Sequence, residues 1–103
     1  IKEGEGRIEE LECFIKHSEL MSKLFKFFID PADGKPVRIE DVKAVLELLK
    51  VIKENIHKLL ECVEVMVGYE YYTEKEYNDI AVMFRDEYQL WSDFVERVGL
   101  ASQ

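Results

Sequence analysis

The side chains best placed to do chemistry are four carboxylates in two i, i+3 pairs, Glu61-Cys62-Val63-Glu64 and Glu76-Tyr77-Asn78-Asp79. Three-residue spacing sets both acids of a pair on one side of a helix. In a helical hairpin centred near residue 70, Glu61 lies level with Asp79 and Glu64 with Glu76. Four carboxylates at one level would offer the hard oxygen ligands that Mg²⁺ takes.

That order resembles the all-α nucleotide pyrophosphatases, which hold Mg²⁺ with a Glu-x-x-Glu and a Glu-x-x-Asp on neighbouring helices. The resemblance covers these four positions alone. It implies a Mg²⁺-dependent nucleotide hydrolase with Glu61, Glu64, Glu76 and Asp79 as metal ligands. Two features of the sequence point away from it. Acid pairs at i, i+3 occur five times (9/12, 30/33, 61/64, 76/79, 93/96), so two in order carry little information. Glu61 and Asp79 also fall opposite the apolar seams of their helices. We therefore expect solvated helix ends, with Glu76 serving a cap, and no metal, cofactor or catalysis.

A second set is Cys13 and His17, one helical turn apart, with His57 near their level and Glu54 or Glu61 to complete a Zn²⁺ site. His57 lies two positions off its apolar seam, and no Cys-x-x-Cys accompanies it. One half-buried thiol and two surface histidines are expected instead. A di-iron carboxylate bundle needs two Glu-x-x-His motifs, and only Glu54-Asn-Ile-His57 is present. Paired at a hairpin centred near Gly34, Cys62 would lie about five residues, roughly 7 Å, from the level of Cys13. Two buried, reduced thiols are expected. Phosphate loops, dinucleotide fingerprints and calcium loops are absent from the sequence.

The elements that must position these residues follow from composition. The chain has 103 residues, 48% hydrophobic and 35% charged. That suits one small globular domain. The net charge is −8. Residues 1–52 hold 9 bases and 11 acids, and residues 53–103 hold 5 and 11, so the acid concentrates in the second half. Such a field opposes binding to nucleic acid or an anionic membrane face, and no apolar run reaches transmembrane length. A soluble, cytoplasmic protein is expected. Four Asn and Gln residues in all lean toward a thermophilic bias.

Residues 1–6 hold two glycines and read as a frayed lead-in to a single domain over 7–103. The first helix is expected over 7–29, with an apolar face at Leu11, Phe14, Ser18, Met21, Phe25 and Phe28. Asp30-Pro31 stops it, and Pro31–Gly34 turns the chain. The second helix, 39–67, repeats Val42, Val45, Leu49, Ile52, Ile56, Leu59, Val63 and Met66. Glu40 and Asp41 sit in its first turn, and Gly68 is its expected cap. Thr73-Glu-Lys-Glu76 is a capping box flanked by Tyr72 and Tyr77 as a hydrophobic staple. It opens a third helix over 73–98 with the face Tyr77, Ala81, Phe84, Tyr88, Trp91, Val95 and Val98. Gly99 is expected to end that helix, with Leu100 folding back. Short links make successive helices antiparallel, predicting an all-α, up-down-up three-helix bundle. Tyr69, Tyr71 and Tyr72 would plug one end.

Each helix carries apolar residues beyond its seam, more than a thin three-helix core consumes. These predict an interface at Leu20, Phe27, Leu48, Val51 and Val65. Through it the chain would assemble with a second copy, most simply as a dimer, or with a helical protein partner. Asp79, Asp86 and Asp93, seven apart on the outer face of the third helix, form an acidic ridge suited to docking a basic protein.

Overall fold

A computed structural model describes residues 3–28 and 39–101. Three helices follow one another: α1 (Glu3–Phe28), α2 (Ile39–Gly68) and α3 (Glu74–Ala101). Helix α2 packs against both α1 and α3, whereas the backbones of α1 and α3 do not come into contact. The arrangement is the expected up-down-up bundle, elongated at 48 × 21 × 20 Å. The stop at Asp30-Pro31 and the turn through Gly34 lie outside the described residues, as do the side chains of Glu40, Asp41 and Leu100.

The face of α2 is as its spacing requires. Val45, Leu49, Ile52, Ile56, Leu59, Val63 and Met66 are all buried. On α3, Ala81, Phe84 and Val95 are buried, with Tyr77, Tyr88 and Trp91 packed against the core. The capping box forms in full. The Glu76 amide donates to Thr73 Oγ1, and the Thr73 amide to Glu76 Oε1, each at 3.1 Å. Two orphan amides of the first turn are thereby satisfied. Tyr72 and Tyr77 are both half-buried beside this start.

Helix α1 departs from expectation by a rotation of one residue. Leu11 and Phe25, assigned to the core, are 43% and 40% exposed, and Ser18 is exposed. The buried face is Glu10, Cys13, His17, Leu20, Met21 and Leu24. This set repeats with the same three-and-four spacing, but a glutamate and a histidine interrupt its apolar character. The helix also begins earlier than residue 7, taking in Gly4 and Gly6. Contacts of Arg7 with the α2–α3 turn hold these first turns, so tertiary packing overrides the weak helix propensity of glycine.

Both glycine stops are also displaced. Helix α3 runs through Gly99 to Ala101. Gly68 is the last residue of α2, and the left-handed position falls on Glu70, φ 62°. There the Glu70 amide donates to Val67 O and the Tyr71 amide to Met66 O, both at 2.9 Å. Those two bonds are a Schellman closure, with a glutamate where glycine is favoured.

Candidate functional site

The carboxylate quartet is not assembled. Glu61, Glu64, Glu76 and Asp79 are all exposed, and Glu76 is engaged in the cap. Among the described residues no group of three or more His, Cys, Asp or Glu side chains is placed to hold a metal ion. A cleft of about 300 Å³ does open at this end, but it is lined by Glu64, Val67, Glu74, Tyr77 and Asn78. Only one member of the quartet reaches it.

The Cys/His set is dispersed as well. His17 is buried, not on the surface, and its Nε2 lies 3.0 Å from Glu87 Oε1 of α3. Its ring meets Phe84 edge-on at 4.9 Å. His57 is exposed and lines a different cleft with Lys53 and Arg85. Both cysteines are free and buried. The Cys62 thiol lies beside that of Cys13 and 3.8 Å from Glu9 Oε2. Burial, then the neighbouring Cys13 and Glu9, push the Cys62 thiol up to about 11, which suppresses the reactive thiolate.

Sequence reasoning missed the polar network at the turn end of the bundle. Glu10 is fully buried and pairs with Arg7 at 2.9 Å. Tyr72 donates its hydroxyl proton to the same Glu10 oxygen and accepts from Arg7 at 3.0 Å. The guanidinium also lies over the Tyr71 ring, 4.9 Å from its centre. Its hydrogen bond to Glu10 raises the Arg7 pKa above the ordinary value. Burial, and then the hydrogen bond to Glu10, push the Tyr72 phenol up to about 12. Of the three tyrosines expected to plug this end, Tyr72 closes it through a carboxylate as well as by ring packing, whereas Tyr69 and Tyr71 are 42% and 49% exposed. Asn55 adds a second polar clip, donating to the Cys13 carbonyl at 3.0 Å. The available signal was the heptad continuation 10, 13, 17, 20, 24 on α1, masked by the polar types at two of its places.

The predicted interface residues separate into three environments. Phe27, Leu48 and Val51 come together, lining an open groove of about 490 Å³ between α1 and α2 with Ala44, Lys23, Lys26 and Glu47. The lining is almost wholly apolar. Leu20 is only 6% exposed and belongs to the core, because the rotation of α1 turns it inward. It has no free surface to offer. Val65 is half-buried in the last turns of α2, well away from that groove. The acidic ridge stands as expected on the surface: Asp79, Asp86 and Asp93 are all exposed. Beside it lie two exposed apolar side chains, Met83 and Leu90.

Among the described residues, no helix is long and apolar enough to cross a membrane. No known family profile, curated protein or solved structure matches this chain.

Proposed function

We propose that this chain is a small assembly module that associates through apolar helix faces and has no catalytic role. The supporting observation is the α1–α2 groove, where Phe27, Leu48 and Val51 line one carbon-walled surface open to solvent. Burying such a surface is favourable by roughly 25 cal/mol per Å², and a helical partner offers the matching shape. The test is native mass spectrometry of the untagged chain, with Val51→Asp as the disrupting variant. A metal-free dimer or larger species that disperses on this substitution supports the reading. A species that stays single at every concentration overturns it, as does one that retains Mg²⁺ stoichiometrically and loses it with Glu64→Gln.

A second reading, docking of a basic protein, is favoured by the exposure of Asp79, Asp86 and Asp93. A complex of that kind would weaken steeply with added salt. Exchanging the three aspartates for asparagine would abolish it.

A further inference from the structure

Two surfaces of this chain differ in a complementary way. The first is the α1–α2 groove, walled by Phe27, Ala44, Leu48 and Val51. Lys23 and Lys26 stand on its α1 rim, and Glu47 on its α2 rim. On a chain of net charge −8, two lysines on one rim make a local positive edge. The second is the outer face of α3. Met83 and Leu90 are 57% and 64% exposed there, one heptad apart. Asp79, Asp86 and Asp93 run beside them at the same spacing, all exposed. Asp93 also accepts a 2.8 Å bond from Gln89. At 100° per residue the three acids fall on a single flank of the apolar pair.

We infer that the occupant of the α1–α2 groove is the outer face of α3 from a second copy. Met83 and Leu90 enter the groove, and Asp86 and Asp93 run along the Lys23/Lys26 rim. The inference rests on the association reading above and names its partner surface. Extent agrees: Ala44 to Val51 and Met83 to Leu90 each span seven residues, about 10.5 Å of helix. Sign agrees as well. Ridge against ridge would set one aspartate row on another. Groove against groove would leave Met83 and Leu90 in water. Groove against ridge covers both apolar surfaces and opposes unlike charges, which sets register and excludes the like-charged pairings. Engaged reciprocally, groove and ridge form one isologous two-fold contact that closes a dimer; engaged singly, the contact is heterologous and gives a ring or an open row.

Two charge-reversed variants test this: Lys23→Glu with Lys26→Glu in the groove, and Asp86→Lys with Asp93→Lys on the ridge. These positions are exposed, and far-ultraviolet circular dichroism with a thermal melt checks that each variant folds. Sedimentation velocity should show each variant alone assembling at least tenfold more weakly than the wild type. An equimolar mixture should regain wild-type assembly, since each reversed surface meets its opposite on the other variant. If ridge reversal leaves assembly unchanged, or mixing fails to restore it, while Val51→Asp still disperses the wild type, the inference is overturned. Association through the groove would then stand with a different occupant, such as a second groove or a basic helix. A wild-type chain that stays single at every concentration overturns both.

Discussion

Helix α1 meets its two neighbours in different ways. Toward α2 the backbones approach closely, and the shared core is dominated by aliphatic side chains, with Leu24, Val45, Leu59 and Val63 fully buried. Toward α3 the backbones stay apart, and the gap is spanned by large or polar groups. Phe14 tilts on Phe84 at 5.8 Å, Phe25 on Trp91 at 5.1 Å, and His17 pairs with Glu87. Aliphatic residues interdigitate and let helices approach, whereas large tilted rings and a polar pair fill the wider gap between α1 and α3. The α1–α3 side is therefore the wider one, and its margins carry exposed apolar residues, Leu11 and Phe25 among them.

The largest effect should separate these two sides of α1 directly. Leu24→Ala removes a fully buried side chain and is expected to lower stability by about 3–4 kcal/mol. Phe25→Ala, one residue on, removes a larger side chain that is substantially exposed, and should lower it by about 1 kcal/mol. Urea unfolding at constant slope measures both. Equal losses would mean that α1 packs as its most apolar face suggests, with Phe25 inside.

That face is where the sequence misleads. On α2 the apolar seam is also the buried seam from Val45 to Met66, and on α3 it faces inward too, with Ala81, Phe84 and Val95 buried and Tyr77, Tyr88 and Trp91 packed beside them. On α1 two seams of identical spacing lie one residue apart. The more apolar one contains Leu11, Phe14 and Phe25, with Ser18 as its polar place. The buried one contains Glu10 and His17. Periodicity cannot rank them, since the partners that make burial of Glu10 and His17 tolerable stand 62 and 70 residues away, at Tyr72 and Glu87. The same long-range pairing hides half of the candidate surface. Phe27, Leu48 and Val51 are legible as one patch, whereas Leu20 is lost to the rotation of α1. Met83 and Leu90 emerge only once α3 is seen to turn them outward.

Glu10 gives the next largest expectation. Glu10→Ala leaves Tyr72 and Arg7 without their common acceptor and opens a cavity, for a loss of about 2–3 kcal/mol. Arg7 keeps about a third of its side chain in solvent, so its charge is not stranded and the loss stays below that of a fully buried pair. Glu10→Met, which fills the volume without a charge, should recover much of it. A double-mutant cycle with Tyr72→Phe should show coupling of about 1–2 kcal/mol. Independent, additive effects would show that the bundle end is held by ring packing alone.

Alkaline pH should act on both sides of the comparison. Cys62 and Tyr72 have folded values pushed up to about 11 and about 12, against ordinary values near 8.5 and 10. Each contributes stability that is fully present below its unfolded value. Between the two values the unfolded chain releases the proton and the native chain keeps it, so stability falls as pH rises. The loss should begin near pH 9 with Cys62 and continue past pH 10 with Tyr72. It should reach about 1–2 kcal/mol by pH 11. Cys62→Ala should delay its onset. A flat profile from pH 8 to 11 would place both groups in water.

The smallest effects concern the α2–α3 turn, where the faces of both helices and the capping box of α3 were legible but the C-terminal cap of α2 was not. Gly68 ends α2 with a right-handed backbone and open space where a side chain would go, so Gly68→Ala should stabilise by about 0.5–1 kcal/mol. Glu70 holds the left-handed place at φ 62°, where a Cβ crowds the carbonyl that follows it. Glu70→Gly should therefore also stabilise, by about 0.5–1 kcal/mol, less whatever backbone entropy the unfolded chain gains. The two substitutions act on opposite errors, a glycine where the chain is helical and a side chain where it is left-handed. Exchanging them in one variant should add, since each relieves its own residue and neither shares a hydrogen-bonded group with the other. A loss on Glu70→Gly would place the left-handed residue elsewhere, with Gly68 the first position to examine.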